Sequence, residues 1–152
     1  MAIPLEGRLK SRQTAPFHIQ LELEKSEDFH AVSGDIQVHG RVVRVFRNDS
    51  RVAVGDRLGF DLWVCRPGDE PTGPAYIYYD DLKTASYMEA YLYGDPPECK
   101  LAAYEFNVIR TPSDEPTLTP RELEALLEQF GAAHAVPLRK QKETRWWRFW
   151  RP

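Results

Sequence analysis

Apolar and polar residues alternate with a period of two along most of this chain, and with a period near 3.6 in one stretch close to its end. Phe17, Ile19, Leu21 and Leu23 alternate with His18, Gln20, Glu22 and Glu24, the pattern of a strand with one buried and one polar side. The longest clean run is 36–65. Ile36, Val38 and Val42 share one phase with Gly40, and at Val42-Val43 the apolar phase flips, so that Val43 and Val45 continue on the other face. An apolar double step beside a glycine predicts a bulge or sharp bend. Beyond a turn at 48–50 and a corner at Gly55-Asp56, Leu58, Phe60, Leu62 and Val64 alternate strictly with Arg57, Gly59, Asp61 and Trp63. Residues 66–75, rich in proline and glycine, read as an exposed loop. Residues 76–82 carry no clear period. Segments 86–93 and 99–109 alternate on either side of Gly94-Asp95-Pro96-Pro97 and predict a hairpin. A helix over 81–92, capped by Asp81, is the competing reading.

The helical period appears once. Thr119-Pro120-Arg121-Glu122 has the form of a capping box with proline at the first helical position, and Leu118 and Leu123 are spaced as a hydrophobic staple. Leu123, Leu126, Leu127 and Phe130 form one apolar stripe, and Gly131 suits a left-handed stop, which predicts a helix over 120–130. Residues 1–16 show no period and contain Pro4 and Pro16, so a flexible leader is expected there.

Several short strands, tight turns and one terminal helix define a mainly β protein. The expected fold is a small closed or partly open β-barrel with one C-terminal α-helix, and a β-sandwich is the alternative. A strand that switches apolar faces can serve two halves of a closed sheet. In this respect residues 36–65 resemble the opening strands of an OB-fold, a five-stranded Greek-key barrel. The likeness is one of pattern at fold level and carries no family motif. The expected organisation is a leader (1–16), a barrel domain (17–110), a connector with an amphipathic helix packed on the barrel (111–137), and a tail (138–152).

Composition narrows the function classes. With 152 residues and 42% hydrophobic content, one domain with a real core is expected. No run of apolar residues is long enough for a secretory signal or a membrane span. Two cysteines, Cys65 and Cys99, both in strand segments, are too few for a disulfide scaffold. A soluble cytoplasmic protein is the expectation.

The net charge of −3 is unevenly placed: residues 1–137 hold 14 Lys and Arg against 22 Asp and Glu, a balance of −8, whereas 138–152 hold 6 against 1, a balance of +5. That tail, LRKQKETRWWRFWRP, contains three of the four tryptophans. On a helical wheel Trp146, Trp147, Phe149 and Trp150 fill one sector, opposite Arg145, Arg148 and Arg151. Such a segment suits an anionic membrane surface, single-stranded nucleic acid, or docking on the acidic body.

Two more clusters are candidate contact surfaces. Arg41, Arg44, Arg47 and Arg51, with Arg57, line the central strands, where an OB-like barrel often takes nucleic acid; the plainer reading is a solvated face paired with Asp49, Asp56 and Asp61. An acidic body repels phosphate, which weakens the first reading. Six of the seven tyrosines fall in 76–93, and Tyr87, Tyr91 and Tyr93 share a strand phase with Glu89. They form either a protein-contact row or a face covered by the 66–82 loop or the terminal helix.

Catalytic patterns are absent from the sequence. His18, His30, His39 and His134 have no metal-ligand spacing, and no P-loop, GxSxG or GxGxxG occurs. No catalytic residue, metal or cofactor is therefore assigned. The expected role is a non-catalytic binding module for an unknown protein partner or a second copy of itself. Tyr87, Tyr91, Tyr93, Arg145, Trp146, Trp147, Arg148 and Trp150 are its candidate contacts, and Arg41, Arg44, Arg47 and Arg51 serve the nucleic-acid alternative. If Thr119 caps the helix, Thr119→Ala lowers helix stability by about 0.5–2 kcal/mol, measured as faster amide exchange over 120–130; unchanged exchange would place the helix start elsewhere.

Overall fold

In the computed structural model the described residues are 3–25, 28–48, 50–72 and 75–131. The chain forms helix α1 (Leu5–Thr14), strands β1 (Phe17–Leu23), β2 (Ser33–Arg47), β3 (Arg57–Cys65) and β4 (Ile77–Tyr78), helix α2 (Tyr79–Thr84), and strands β5 (Tyr87–Asp95) and β6 (Glu98–Ile109). A further helix, α3, covers 120–131. Two compact units are present, Met1–Thr117 and Leu118–Pro152.

The six strands make one mixed sheet in the order β2-β1-β5-β6-β3-β4, and β2 also pairs with β3. Hydrogen bonding therefore runs in a ring through five strands, with β4 added at the side of β3. The fold is mainly β and ring-like, as the alternating pattern predicts. The hairpin reading of 86–109 holds, and the competing helix over 81–92 does not form. The helix there is limited to the short α2, which overlaps only the first four residues of that range, and from Tyr87 onward the chain is strand.

Closure depends on β2, which pairs with β1 through its C-terminal half and with β3 through its N-terminal half. The register with β1 slips between Gln20↔Arg44 and Leu21↔Val42, leaving Val43 as an extra residue. This is the bulge expected at Val42-Val43. Gly40 permits the bend, because a Cβ there would lie 2.8 Å from the Glu22 backbone oxygen. The inward-facing alternates Phe17, Ile19, Leu21, Val38, Val42, Leu58, Phe60, Leu62, Met88 and Leu92 form the core, with Leu82 of α2 packed among them.

The ladder is uneven around the ring. β2 and β3 are paired from Ser33↔Cys65 to Arg41↔Arg57, whereas β3 and β6 are joined at a single parallel bridge, Gly59↔Glu98. Past that bridge the two strands share no ladder among the described residues. A cleft of about 550 Å³, lined by residues such as Ile77, Asp81, Phe106 and Val108, spans from β4 to β6. A second, of about 400 Å³, spans from β3 to β6.

Three expectations need correction. The leader is not loose: residues 5–14 are helical. Only Leu9 of this helix is buried, so it lacks a periodic apolar stripe, and its anchors are charged groups far away in sequence. Secondly, β1 is not polar on one open side, since His18 and Gln20 are as buried as its apolar residues. Thirdly, the compact unit extends past 110 to Thr117, because Ser113 and Thr117 bond to groups on β1 and β5. In the second unit the capping box is formed: the Thr119 N–H donates to Glu122 Oε2 at 2.9 Å and the Glu122 N–H to Thr119 Oγ1 at 3.2 Å. The tail 138–152, with Arg145, Trp146, Trp147, Arg148 and Trp150, lies outside the described residues.

Phe60 is 1% exposed at the centre of the ring. Phe60→Ala is expected to cost about 3–5 kcal/mol of unfolding free energy in urea titration; a loss below about 1 kcal/mol would show that the core is placed elsewhere.

Candidate functional site

The outer face of the ring has a sealed half and an open half, and the sequence-derived candidates divide between them. The sealed half is centred on Glu89, which is fully buried. Its carboxylate accepts hydrogen bonds from Gln20 Nε2 at 3.0 Å, the Thr117 N–H at 3.1 and 3.2 Å, and Tyr91 Oη at 3.4 Å, and lies 3.2 Å from His18 Nε2. Gln20 completes the link to the connector: its Oε1 accepts from the Ser113 N–H at 2.9 Å, and its Nε2 donates to Ser113 Oγ at 3.1 Å. The His18 ring stacks on Tyr91 with centroids 4.0 Å apart.

Above Tyr91 lies α1. The Arg12 guanidinium sits 5.0 Å from the Tyr91 ring centroid and 2.7 Å from Glu105, and Arg8 reaches the other Glu105 oxygen at 2.5 Å. Arg47 donates to the carbonyls of Arg12 and Ala15 at 2.9 and 2.7 Å, satisfying the C-terminal end of the helix with a cation where the helix dipole favours one. Glu105 is brought to this position by an irregularity in β6. Between Ala90↔Phe106 and Leu92↔Leu101, residues 102–105 all lie opposite Tyr91, and Ala103 and Tyr104 take left-handed backbone angles, φ 51° and 58°.

Tyr91, 1% exposed, is thus not the expected surface contact, while Tyr87 is half-buried and Tyr93 exposed. The tyrosine row is covered in part, as one sequence reading expected, but by α1 and 113–117. The arginines have specific local partners. Arg44 pairs with Asp114 at 3.3 Å, Arg51 with Asp95 at 3.2 Å, Arg57 with Glu24 at 2.9 Å, and Arg41 donates to the Gly55 carbonyl at 3.2 Å. Arg47 is occupied with α1. The face is engaged, but not with the expected acids: the carboxylates shown are Asp114, Asp95 and Glu24 rather than Asp56 and Asp61, and Asp49 lies outside the described residues.

The open half is the 400 Å³ groove on the seam. Its walls include Trp63, Asp61 and Asp35 on one side and Lys100, Tyr104 and Tyr93 on the other. Asp35 stands directly across from Trp63, and Asp61 lies two residues along the same strand face. Tyr93 and Tyr104 are 44% and 45% exposed. Two features mark this groove. The Trp63 indole Nε1 is buried and has no hydrogen-bond partner among the described residues, at a typical cost of about 1–3 kcal/mol. The strained pair Ala103-Tyr104 also lies on its wall, each residue costing roughly 1–2 kcal/mol against a right-handed conformation. Strain of this kind concentrates at functional sites.

Of the groove residues only Tyr93 was a sequence candidate. Alternation places Trp63 and Tyr104 in strands, and nothing in their local pattern signals the bulge or the seam. Chemically the groove offers aromatic faces, two carboxylates and one ammonium. Both cysteines are buried and unbridged; burial pushes the Cys65 thiol up and the Cys99 thiol up to about 11, so neither is an activated nucleophile. Among the described residues no group of His, Cys, Asp and Glu is arranged to hold a metal ion, and no helix is long and apolar enough to cross a membrane. No known protein family matches the chain, and no curated protein matches it.

Glu89 supplies a pH test. Burial alone would raise its pKa, but donors from His18, Gln20 and Thr117 outweigh burial and hold it below the usual carboxylate value. A depressed carboxyl contributes stability that is full above the unfolded pKa, about 4.3, and is lost as pH falls through the lower folded value. The stability gap between wild type and Glu89→Gln should therefore be constant near neutrality and shrink below about pH 4.3 in urea titrations; a gap that widens on acidification would contradict this network.

Proposed function

We propose that this protein is a non-catalytic binding module, and that the Trp63–Tyr93–Tyr104 groove takes a segment of a protein partner. The carrying observation is the open groove on the seam that brings Trp63, Tyr93 and Tyr104 together, with the two tyrosines 44% and 45% exposed. The three rings suit protein contact, where tyrosine and tryptophan provide large area at low entropic cost. The unbridged thiols accord with a cytoplasmic setting. The partner is either another protein or a second copy of this chain. Nucleic-acid binding through Arg41, Arg44, Arg47 and Arg51 is a weaker reading, because these side chains are already engaged with carboxylates, backbone carbonyls and α1.

A photo-reactive benzoylphenylalanine at position 93 or 104 should give discrete protein adducts in cells, with a dimer-sized product if the partner is another copy. The same group at Val54, 66% exposed and outside the groove's lining, should not. Equal labelling at all three positions, no adduct at any, or nuclease-sensitive adducts at 93 and 104 would overturn the proposal.

A further inference from the structure

The outer face under α1 has a known occupant, because α1 itself sits on it. Three contacts define the fit. Arg8 and Arg12, one helical turn apart, both reach the buried Glu105 carboxylate. The Arg12 guanidinium also lies over the Tyr91 ring. Arg47 of β2 donates to the carbonyls of Arg12 and Ala15, where the helix ends. The face therefore fits a short helix with arginines four residues apart that stops just past the second.

This helix is an addition to the fold and not part of its main core. Ala15, Tyr91 and Ala102 form a small cluster of their own, and Leu9, the buried residue of α1, belongs to neither cluster. Its departure therefore costs little apolar burial. Water then replaces both guanidinium groups at Glu105, so the opened face holds no bare buried charge. Nor is α1 stable alone: ten residues, with Gly7 among them, are too few for a free helix in water. Helix formation and docking are one event.

Only Ala15 and Pro16 join α1 to β1. Ala15 is extended, φ −54° and ψ 132°, as the residue before a proline prefers, so the helix cannot run on into the strand. Pro16 is exposed and sits at a bend. An α1 that reaches the same face on another molecule makes the same contacts. The two arrangements differ in the bend at 15–16 and in whether helix and face share a chain.

We infer that this face is an interface between copies of the chain: α1 of one molecule docks on the Glu105–Tyr91 face of a second, and the exchange is reciprocal. The occupant is a second copy because α1 is the segment seen to fit, and every copy carries both the helix and the face. The surface shares no residue with the lining of the Trp63 groove, so it stands apart from the function proposed above.

Two full-length variants test this by complementation. Arg8→Glu/Arg12→Glu spoils the helix and keeps the face, whereas Glu105→Lys spoils the face and keeps the helix. Each alone should be monomeric by light scattering, and an equal mixture should give a heterodimer. A fluorescent peptide of residues 3–16 should bind the helix-defective variant with a Kd at least about tenfold below that for the wild type, whose face is filled by its own helix. Replacing both arginines of the peptide by alanine should abolish that binding. The wild type reports without any substitution: ¹³C,¹⁵N-labelled and unlabelled chains, refolded together at about 1 mM, the effective concentration of a short tether, should show isotope-filtered NOEs between Arg12 of one copy and Tyr91 of the other. Absence of those NOEs overturns the inference whether or not a variant folds. So does a mixture of folded variants that stays monomeric, or peptide binding indifferent to the alanine replacements. A wild-type dimer that persists in each unmixed variant also overturns it, and leaves the groove as the surface between copies.

Discussion

Burial of the Glu89 carboxylate is the constraint on which the outer surface depends. A carboxylate placed in the middle of a sheet face must be supplied with donors or it destabilises the fold by several kcal/mol. Here the donors come from three parts of the chain: His18 and Gln20 on β1, Tyr91 on β5, and the backbone of Thr117. Satisfying it therefore pins the 113–117 connector to the sheet. A second buried carboxylate, Glu105, does the same for α1 through Arg8 and Arg12. The two together seal one half of the ring's outer face with polar contacts where most domains would use apolar ones.

The seal leaves the seam side uncovered. β6 has to bulge to turn Glu105 towards α1, and the same four-residue irregularity places Ala103 and Tyr104 in left-handed conformations on the groove wall. One distortion thus anchors the N-terminal helix and shapes the candidate site. Glu105 and the two left-handed residues belong to one irregularity, so the groove's geometry is tied to the anchoring of a helix distant in sequence.

This coupling explains what could be read from the sequence. The strands, the bulge at Val42-Val43, the hairpin and the capping box of α3 are local, period-based features, and each is formed. Residues 5–14 gave no signal because a helix held by Arg8, Arg12 and Arg47 needs no apolar stripe. His18 and Gln20 looked solvent-facing because alternation reports which residues enter the core, and says nothing about a polar layer outside it. Tyr93 was visible as part of a tyrosine cluster, but Trp63 and Tyr104 were not, since the groove arises from a missing ladder between β3 and β6 and from a bulge, both set by long-range pairing. The tryptophans and arginines of the tail remain features of composition.

Carboxylate-anchored segments thus seal one half of the ring and leave the aromatic groove as the open half. Amide hydrogen exchange on the 152-residue chain reads this out. In the wild type, residues 8–14 should be protected well above a free peptide, and Glu105→Gln should release that protection while the β1–β5 and β2–β3 ladders stay slow. Exchange of residues 8–14 at free-peptide rates in the wild type, or protection there that is indifferent to Glu105→Gln, would contradict it.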